Sequence, residues 1–84
     1  MKEKILTLRI LTPEGTLHEG TADAVFLPGI VSPFEVLPDH APIISALEQG
    51  EIRAVQGRDE RRFPIRSGLV RVLDNVITVC AEIS

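Results

Sequence analysis

The stretch Leu37-Pro38-Asp39-His40-Ala41-Pro42 sets an acid beside a histidine, between two prolines. Asp and His are the side chains of acid–base catalysis and of metal ligation. A zinc site needs three or four convergent ligands. The chain has two histidines, His18 and His40, and one cysteine, with no ligand-type spacing between any of them. No metal and no cofactor are expected. In an extended chain Asp39 and His40 point to opposite faces, so His40 reads as a hydrogen-bonded loop residue. His18, in Thr16-Leu17-His18-Glu19-Gly20, reads as a surface histidine before a turn.

The other reactive types fare no better. Glu35, Asp39 and Glu48 share a region, but no spacing fixes two of them at the separation glycoside hydrolysis needs. Ser32, Ser45 and Ser67 lack the context of a nucleophile elbow. The segment 27–33 has one glycine and no following Lys-Ser or Lys-Thr, so it is no phosphate cradle. Cys80 lies in the apolar run 76–83 and reads as a buried packing thiol, with no neighbour to lower its pKa. No catalytic constellation emerges, and the chain is expected not to be an enzyme. A partner surface remains. Prolines hold a loop in one shape and reduce the entropy lost on docking. The proline-bracketed stretch therefore reads as a preformed contact loop or a rigid crossover between sheets, and the two are compatible.

The elements that must carry these residues are strands. Leu6, Leu8 and Ile10 alternate with Ile5, Thr7 and Arg9, and Val25 and Leu27 alternate with Ala24 and Phe26. Ile52 and Ala54 stand opposite Arg53 and Val55, and Phe63 and Ile65 share a face. Residues 69–73 and 76–83 close the chain with the same period of two. Turn residues punctuate the runs at Pro13-Glu14-Gly15, Gly20, Pro28-Gly29, Pro38-Asp39, Gly50, Gly57, Ser67-Gly68 and Asp74-Asn75. The last reads as a tight hairpin. Pro33 and Pro64 fall in strand-like runs and mark edges or bulges. Residues 41–50 read as a strand or turn. Turns every eight to twelve residues predict an all-β sandwich or barrel.

Bulk properties narrow the class. Eighty-four residues form one domain, 1–84, with a thin core. A net charge of −3 disfavours nucleic acid as a partner. The local basic cluster of Arg58, Arg61, Arg62 and Arg66 is interrupted by Asp59 and Glu60, and reads as a solvated edge. No signal peptide is expected, and no apolar run approaches a bilayer span, so no membrane insertion is expected. The chain reads as soluble and suited to a reducing compartment.

Residues 26–52 have a more specific pattern. Leu27-Pro28-Gly29, Phe34, Leu37-Pro38, His40-Ala41-Pro42 and Gly50 match, in order and spacing, the epsilon subunit family of F-type ATP synthases. Residues 8–20, turning at Thr12-Pro13-Glu14-Gly15, resemble that family's first hairpin. Gly68, Asn75, Thr78, Val79 and Glu82 fit its closing hairpin. Essentially the whole chain takes part in the resemblance. Ser32, Glu35 and Ser67 depart from glycines usual in the family, which requires negative φ or a strained turn there.

The resemblance implies a flattened antiparallel β-sandwich of about nine or ten short strands. It implies a non-catalytic central-stalk subunit that couples rotation of the c-ring to the gamma subunit, and so to ATP synthesis. The subunit would be a monomer within the complex, peripheral in the F1 sector at the cytoplasmic face of the bacterial inner membrane. Gly29, Ile30, Val31, Ser32, Pro33 and Phe34 would face the c-ring. His40, Ala41, Pro42 and Ser45, with Thr12 nearby, would face gamma. Many members carry a further helical domain that can inhibit ATP hydrolysis; this sequence contains no helical segment. The initial Met and the ending on a strand favour a naturally short member over a trimmed one. The alternative is a free-standing sandwich module for a peptide or sugar. The absence of Trp and Tyr weighs against it.

Overall fold

A computed structural model describes residues 4–83. Nine strands follow one another: β1 (Leu6–Thr12), β2 (Gly15–Ala22), β3 (Ala24–Leu27), β4 (Phe34–Val36), β5 (Ile43–Leu47), β6 (Gly50–Gln56), β7 (Asp59–Ile65), β8 (Ser67–Leu73) and β9 (Val76–Glu82). They form a five-stranded sheet in the order β2-β1-β9-β8-β5 and a four-stranded sheet in the order β4-β3-β6-β7. The expected all-β sandwich is the observed one.

Alternation builds the core. Leu6, Leu8 and Ile10 of β1, Val70 and Val72 of β8, and Ile77, Val79 and Ala81 of β9 are buried from the larger sheet. Val25, Leu27, Ile52, Ala54 and Ile65 meet them from the smaller one. No polar side chain is buried among the described residues, so this core holds by apolar packing alone.

Local chemistry sets the turns. Asp74 and Asn75 have φ of 51° and 63°, the backbone of a tight I′ hairpin turn between β8 and β9. Gly57, at φ 61°, begins the turn from β6 to β7. Ser32, Glu35 and Ser67 are not among the positive-φ residues, so the chain folds without left-handed strain at those positions. Pro64 lies on β7, an outer strand of its sheet, opposite Glu51. Pro33 lies in the loop before β4 rather than in a strand.

Two expectations need correction. The pairing is antiparallel except between β1 and β9, which run parallel from Thr7–Val76 to Leu11–Cys80. Period-two patterning is the same for both pairings, so the sequence carries no sign of the difference. Cys80 is exposed rather than buried. It alternates with Val79 and Ala81, which take the inner face of β9. An apolar neighbourhood in sequence does not fix which face of the strand a residue occupies.

One close approach tests the packing of β8 on β9. A Cβ added at Gly68 would lie 2.8 Å from the carbonyl oxygen of Cys80. Gly68→Ala is expected to lower stability by about 1–3 kcal/mol, through strain between the paired strands. Urea unfolding of the two proteins measures it, and an unchanged midpoint would show that β9 yields freely.

Candidate partner-docking surface

The proline-bracketed stretch is the crossover from β4 in the smaller sheet to β5 in the larger. Its first four residues form a turn closed by the His40 amide donating to the Leu37 carbonyl at 3.1 Å. Pro38 takes the second position, and Asp39 the third, at φ 68°. That is a type II turn, with aspartate where glycine or asparagine is usual. Asp39 and His40 are therefore not in extended chain.

Asp39 ties the turn down. Its amide donates to Asn75 Oδ1 at 2.6 Å, and Asn75 Nδ2 donates back to Asp39 Oδ1 at 3.3 Å. Lys4 Nζ donates to Asp39 Oδ2 at 2.8 Å. Asn75 also accepts the Thr7 amide on its own carbonyl at 2.9 Å. The crossover, the β8–β9 turn and the start of β1 thus meet at one asparagine. Hydrogen bonds from Lys4 and then from Asn75 hold the Asp39 carboxyl below the usual aspartate range. His40 is a loop-bracing residue, its Nδ1 donating to the Ala41 carbonyl at 2.8 Å. Among the described residues no three His, Cys, Asp or Glu side chains converge as a metal site would require.

The segment Gly29–Phe34 divides into two roles. Gly29 is buried and bridges to Leu47, and Ile30 donates its amide to the Ala46 carbonyl at 3.1 Å. A Cβ on Gly29 would lie 2.5 Å from the Ser32 carbonyl oxygen, so only glycine allows the loop to fold back there. Phe34 packs against the core. Ile30, Val31, Ser32 and Pro33 are left outside, with Val31 98% exposed.

The remaining expected contact residues do not form one cluster. Ala41 and Pro42 are exposed, and Ser45 is half-buried on β5. Thr12 ends β1 at the opposite end of the larger sheet, three strands across from β5. Strand spacing and rise put it about 20 Å from Pro42. Its hydroxyl donates to the Gly15 carbonyl at 3.0 Å and braces the first hairpin.

Between these corners runs a face that sequence reasoning missed, from which Ser45, opposite the buried Val70, and Thr12, in step with the buried Ile10, are turned inward. Register aligns Ala46, Leu69, Cys80 and Leu11 in one row across β5, β8, β9 and β1. The next row runs Ile44, Arg71, Thr78, Arg9. Ile44 is 76% exposed and Leu69 57%, and Leu73 adds to the same face. A contiguous exposed apolar surface marks a contact site. The signal was present in the period-two pattern: Leu69, Leu73 and Ile44 occupy outward positions where a solvated sheet carries polar residues.

The outer face of the smaller sheet is different. Arg53 lies over the Phe26 ring at 4.3 Å. Glu60 pairs with Arg53 at 3.5 Å and with Arg62 at 2.6 Å, and Arg62 reaches Glu51 at 3.4 Å. This face is self-satisfied and solvated, as expected for the arginine-rich segment. At the seam between the sheets, His18 is half-buried, with its ring centroid 4.7 Å from that of Phe63. It is not the plain surface histidine expected. Burial, and then the charge of Arg61, push its pKa down.

A family model described as the ATP synthase delta/epsilon chain β-sandwich domain matches residues 5–83. The chain is 38% identical over 76 residues to an ATP synthase epsilon chain of Desulfitobacterium hafniense, covering 90% of this chain and 58% of the relative. It is 36% identical over 81 residues to that of Chlorobaculum tepidum, covering 95% of this chain and 92% of the relative. It thus spans little more than half of several relatives, such as the 55% covered in Acidithiobacillus ferridurans. A chain of the Euglena gracilis mitochondrial ATP synthase cryo-EM structure superposes with a TM-score of 0.87 at 15% identity, over 96% of this chain and 52% of that one. A chain of the Tetrahymena thermophila mitochondrial ATP synthase central stalk and c-ring gives 0.76 at 13%, over 98% and 66%. These two likenesses establish the fold.

Two titrations follow from this geometry. Neutral His18 is favoured in the folded state, so its contribution is complete above pH 6.5. It is lost as pH falls from there through the lowered folded pKa. His18→Gln is expected to remove this component from the stability profile as pH falls below 6.5, checked by urea unfolding. The Asp39 carboxyl has a lowered folded pKa, so its contribution is present above the ordinary aspartate value and lost in more acid solution. Carboxyl NMR of the folded protein is expected to show Asp39 titrating below the usual range, and Asn75→Ala is expected to raise its midpoint.

Proposed function

The chain belongs to the ATP synthase delta/epsilon β-sandwich family, and we propose that it is the rigid adaptor of the central stalk. In this reading the outer face of the five-stranded sheet docks on the gamma subunit. The exposed tip Ile30–Pro33 meets the polar loops of the c-ring, with Gly29 and Phe34 shaping that tip from beneath. His40, Ala41 and Pro42 line one corner of the gamma-facing surface, and Ser45 and Thr12 border it from the β5 edge and from the far end of β1, since alternation turns both toward the inner side of their strands. The chain is not catalytic; it passes torque from the ring to gamma, and gamma's rotation drives ATP formation in the head. It sits as a monomer within the F1 sector, peripheral to the cytoplasmic face of the bacterial inner membrane.

The observation that carries this reading is the contrast between the two outer faces. One presents Ile44, Leu69 and Leu73 to solvent, while the other spends its charges on internal pairs. An adaptor that carries torque needs stiffness, and here the ladders and the Asp39–Asn75 ties supply it. Docking then costs little ordering entropy, because the surface is already set.

The test is co-expression with the gamma subunit of the same organism, followed by size exclusion. A 1:1 complex is expected. Leu69→Glu places a charge in the centre of the apolar row and is expected to weaken it by about a hundredfold or more, with the isolated domain still folded. Glu60→Lys, on the opposite face, is expected to leave the complex intact. Equal sensitivity to both substitutions, or tolerance of Leu69→Glu, would overturn the assignment of the face.

A further inference from the structure

A two-sheet sandwich has four outer strands, and here they are β2, β5, β4 and β7. An open strand edge pairs with any extended chain, so stable proteins blunt it with charge, proline, bulges or shortness. β2 carries His18 and Glu19, and its register on β1 shifts between Ile10 and Leu11. β7 carries Asp59, Glu60, Arg61, Arg62 and Pro64. β4 has three residues, one of them Glu35, and follows Pro33. β5 reads Ile43-Ile44-Ser45-Ala46-Leu47, with no charge, no proline and an unbroken register on β8. It is the one outer strand with neither a charge nor a proline within it, although Pro42 precedes it as Pro33 precedes β4.

Part of that edge is already used. Ile30 donates to the Ala46 carbonyl, and Glu48 donates to the Pro28 carbonyl, which caps the C-terminal half of β5. The Ala46 carbonyl therefore points away from β8. By alternation, so do the Ile44 amide and carbonyl and the Pro42 carbonyl. Beside them is a groove of about 410 Å³ lined by Pro42, Ile43, Ile44, Arg71, Val72 and Leu73. Among the described residues Arg71 is in no ion pair.

We infer that this half-edge is completed by strand addition: an extended segment of the gamma subunit pairs with Pro42 and Ile44. This rests on the stalk reading above and adds to it the mode of contact. The segment makes main-chain bonds to the Pro42 carbonyl and to both groups of Ile44. It places an apolar side chain in the groove and a carboxylate near Arg71. A second copy of this chain is a poor occupant. With Ile44 opposite Ile44 of the copy, Ala41 of the copy would fall opposite Leu47, where Gly29 already sits.

Amide hydrogen exchange at Ile44, free and in complex with the gamma subunit, is the test. Protection is expected to rise about a hundredfold or more on binding. Ile44→Pro removes an amide the fold does not use, and Ile44→Ala shortens the same side chain while keeping that amide. The proline variant is expected to bind about tenfold more weakly than the alanine variant. A complex in which the Ile44 amide exchanges as in the free chain would overturn strand addition and leave the stalk reading standing. Failure to form any complex would remove both. A dimer of this chain alone that protects Ile44 would overturn the inference in favour of a second copy.

Discussion

The parallel pairing of β1 with β9 is the constraint on which the rest of the molecule depends. It joins residues almost seventy positions apart, from Thr7 beside Val76 to Leu11 beside Cys80. Without it, the first hairpin and the last would be separate two- and three-stranded pieces, each with a narrow face. With it they become one five-stranded sheet, and Leu6, Leu8 and Ile10 reach the same core as Ile77 and Val79. The same pairing aligns Leu11 and Cys80 with Leu69 and Ala46 on the outside. One backbone contact thus builds both the hydrophobic interior and the surface on which docking is proposed. The Thr7–Asn75 hydrogen bond fixes its starting register.

Rigidity and function meet at Asn75. Its positive φ makes the β8–β9 turn, its carbonyl anchors β1, and its side chain clasps the crossover through Asp39. The bonds are exposed, so each contributes modestly. Their worth is geometric: three chain segments are held in one arrangement before any partner arrives. The pair of prolines acts in the same direction, and His40 braces the loop it belongs to. The acid and histidine that first suggest catalysis are both occupied in holding a shape.

Much of this was legible in the sequence. The strands follow from strict alternation, and the turns from Asp74-Asn75, Gly57 and Pro38-Asp39. The match of Leu27-Pro28-Gly29 and His40-Ala41-Pro42 to the family pattern was legible as well. Three things were not. The parallel pair was hidden because periodicity has no direction. The exposure of Cys80 was hidden because an apolar run does not say which of its residues face outward until the register is fixed. The proposed docking face was hidden as a surface: alternation marks single outward apolar residues, but Leu11, Ile44, Leu69 and Cys80 come from four strands and become neighbours only through pairing. The distance of Thr12 from the crossover has the same origin, since a short loop list carries no information about which end of a sheet a residue occupies.

The chain's single cysteine happens to lie in the middle of the proposed face, exposed and between Leu69 and Leu11. It reports on docking at that face without any substitution. The rate at which Cys80 reacts with a thiol reagent should be measured in the free chain and in the purified complex with the gamma subunit. Cys80 is expected to react readily in the free chain and to be strongly protected in the complex. A stable complex in which Cys80 reacts as fast as in the free chain would contradict it, because the outer face of the larger sheet would then be open to solvent while the partner sits elsewhere.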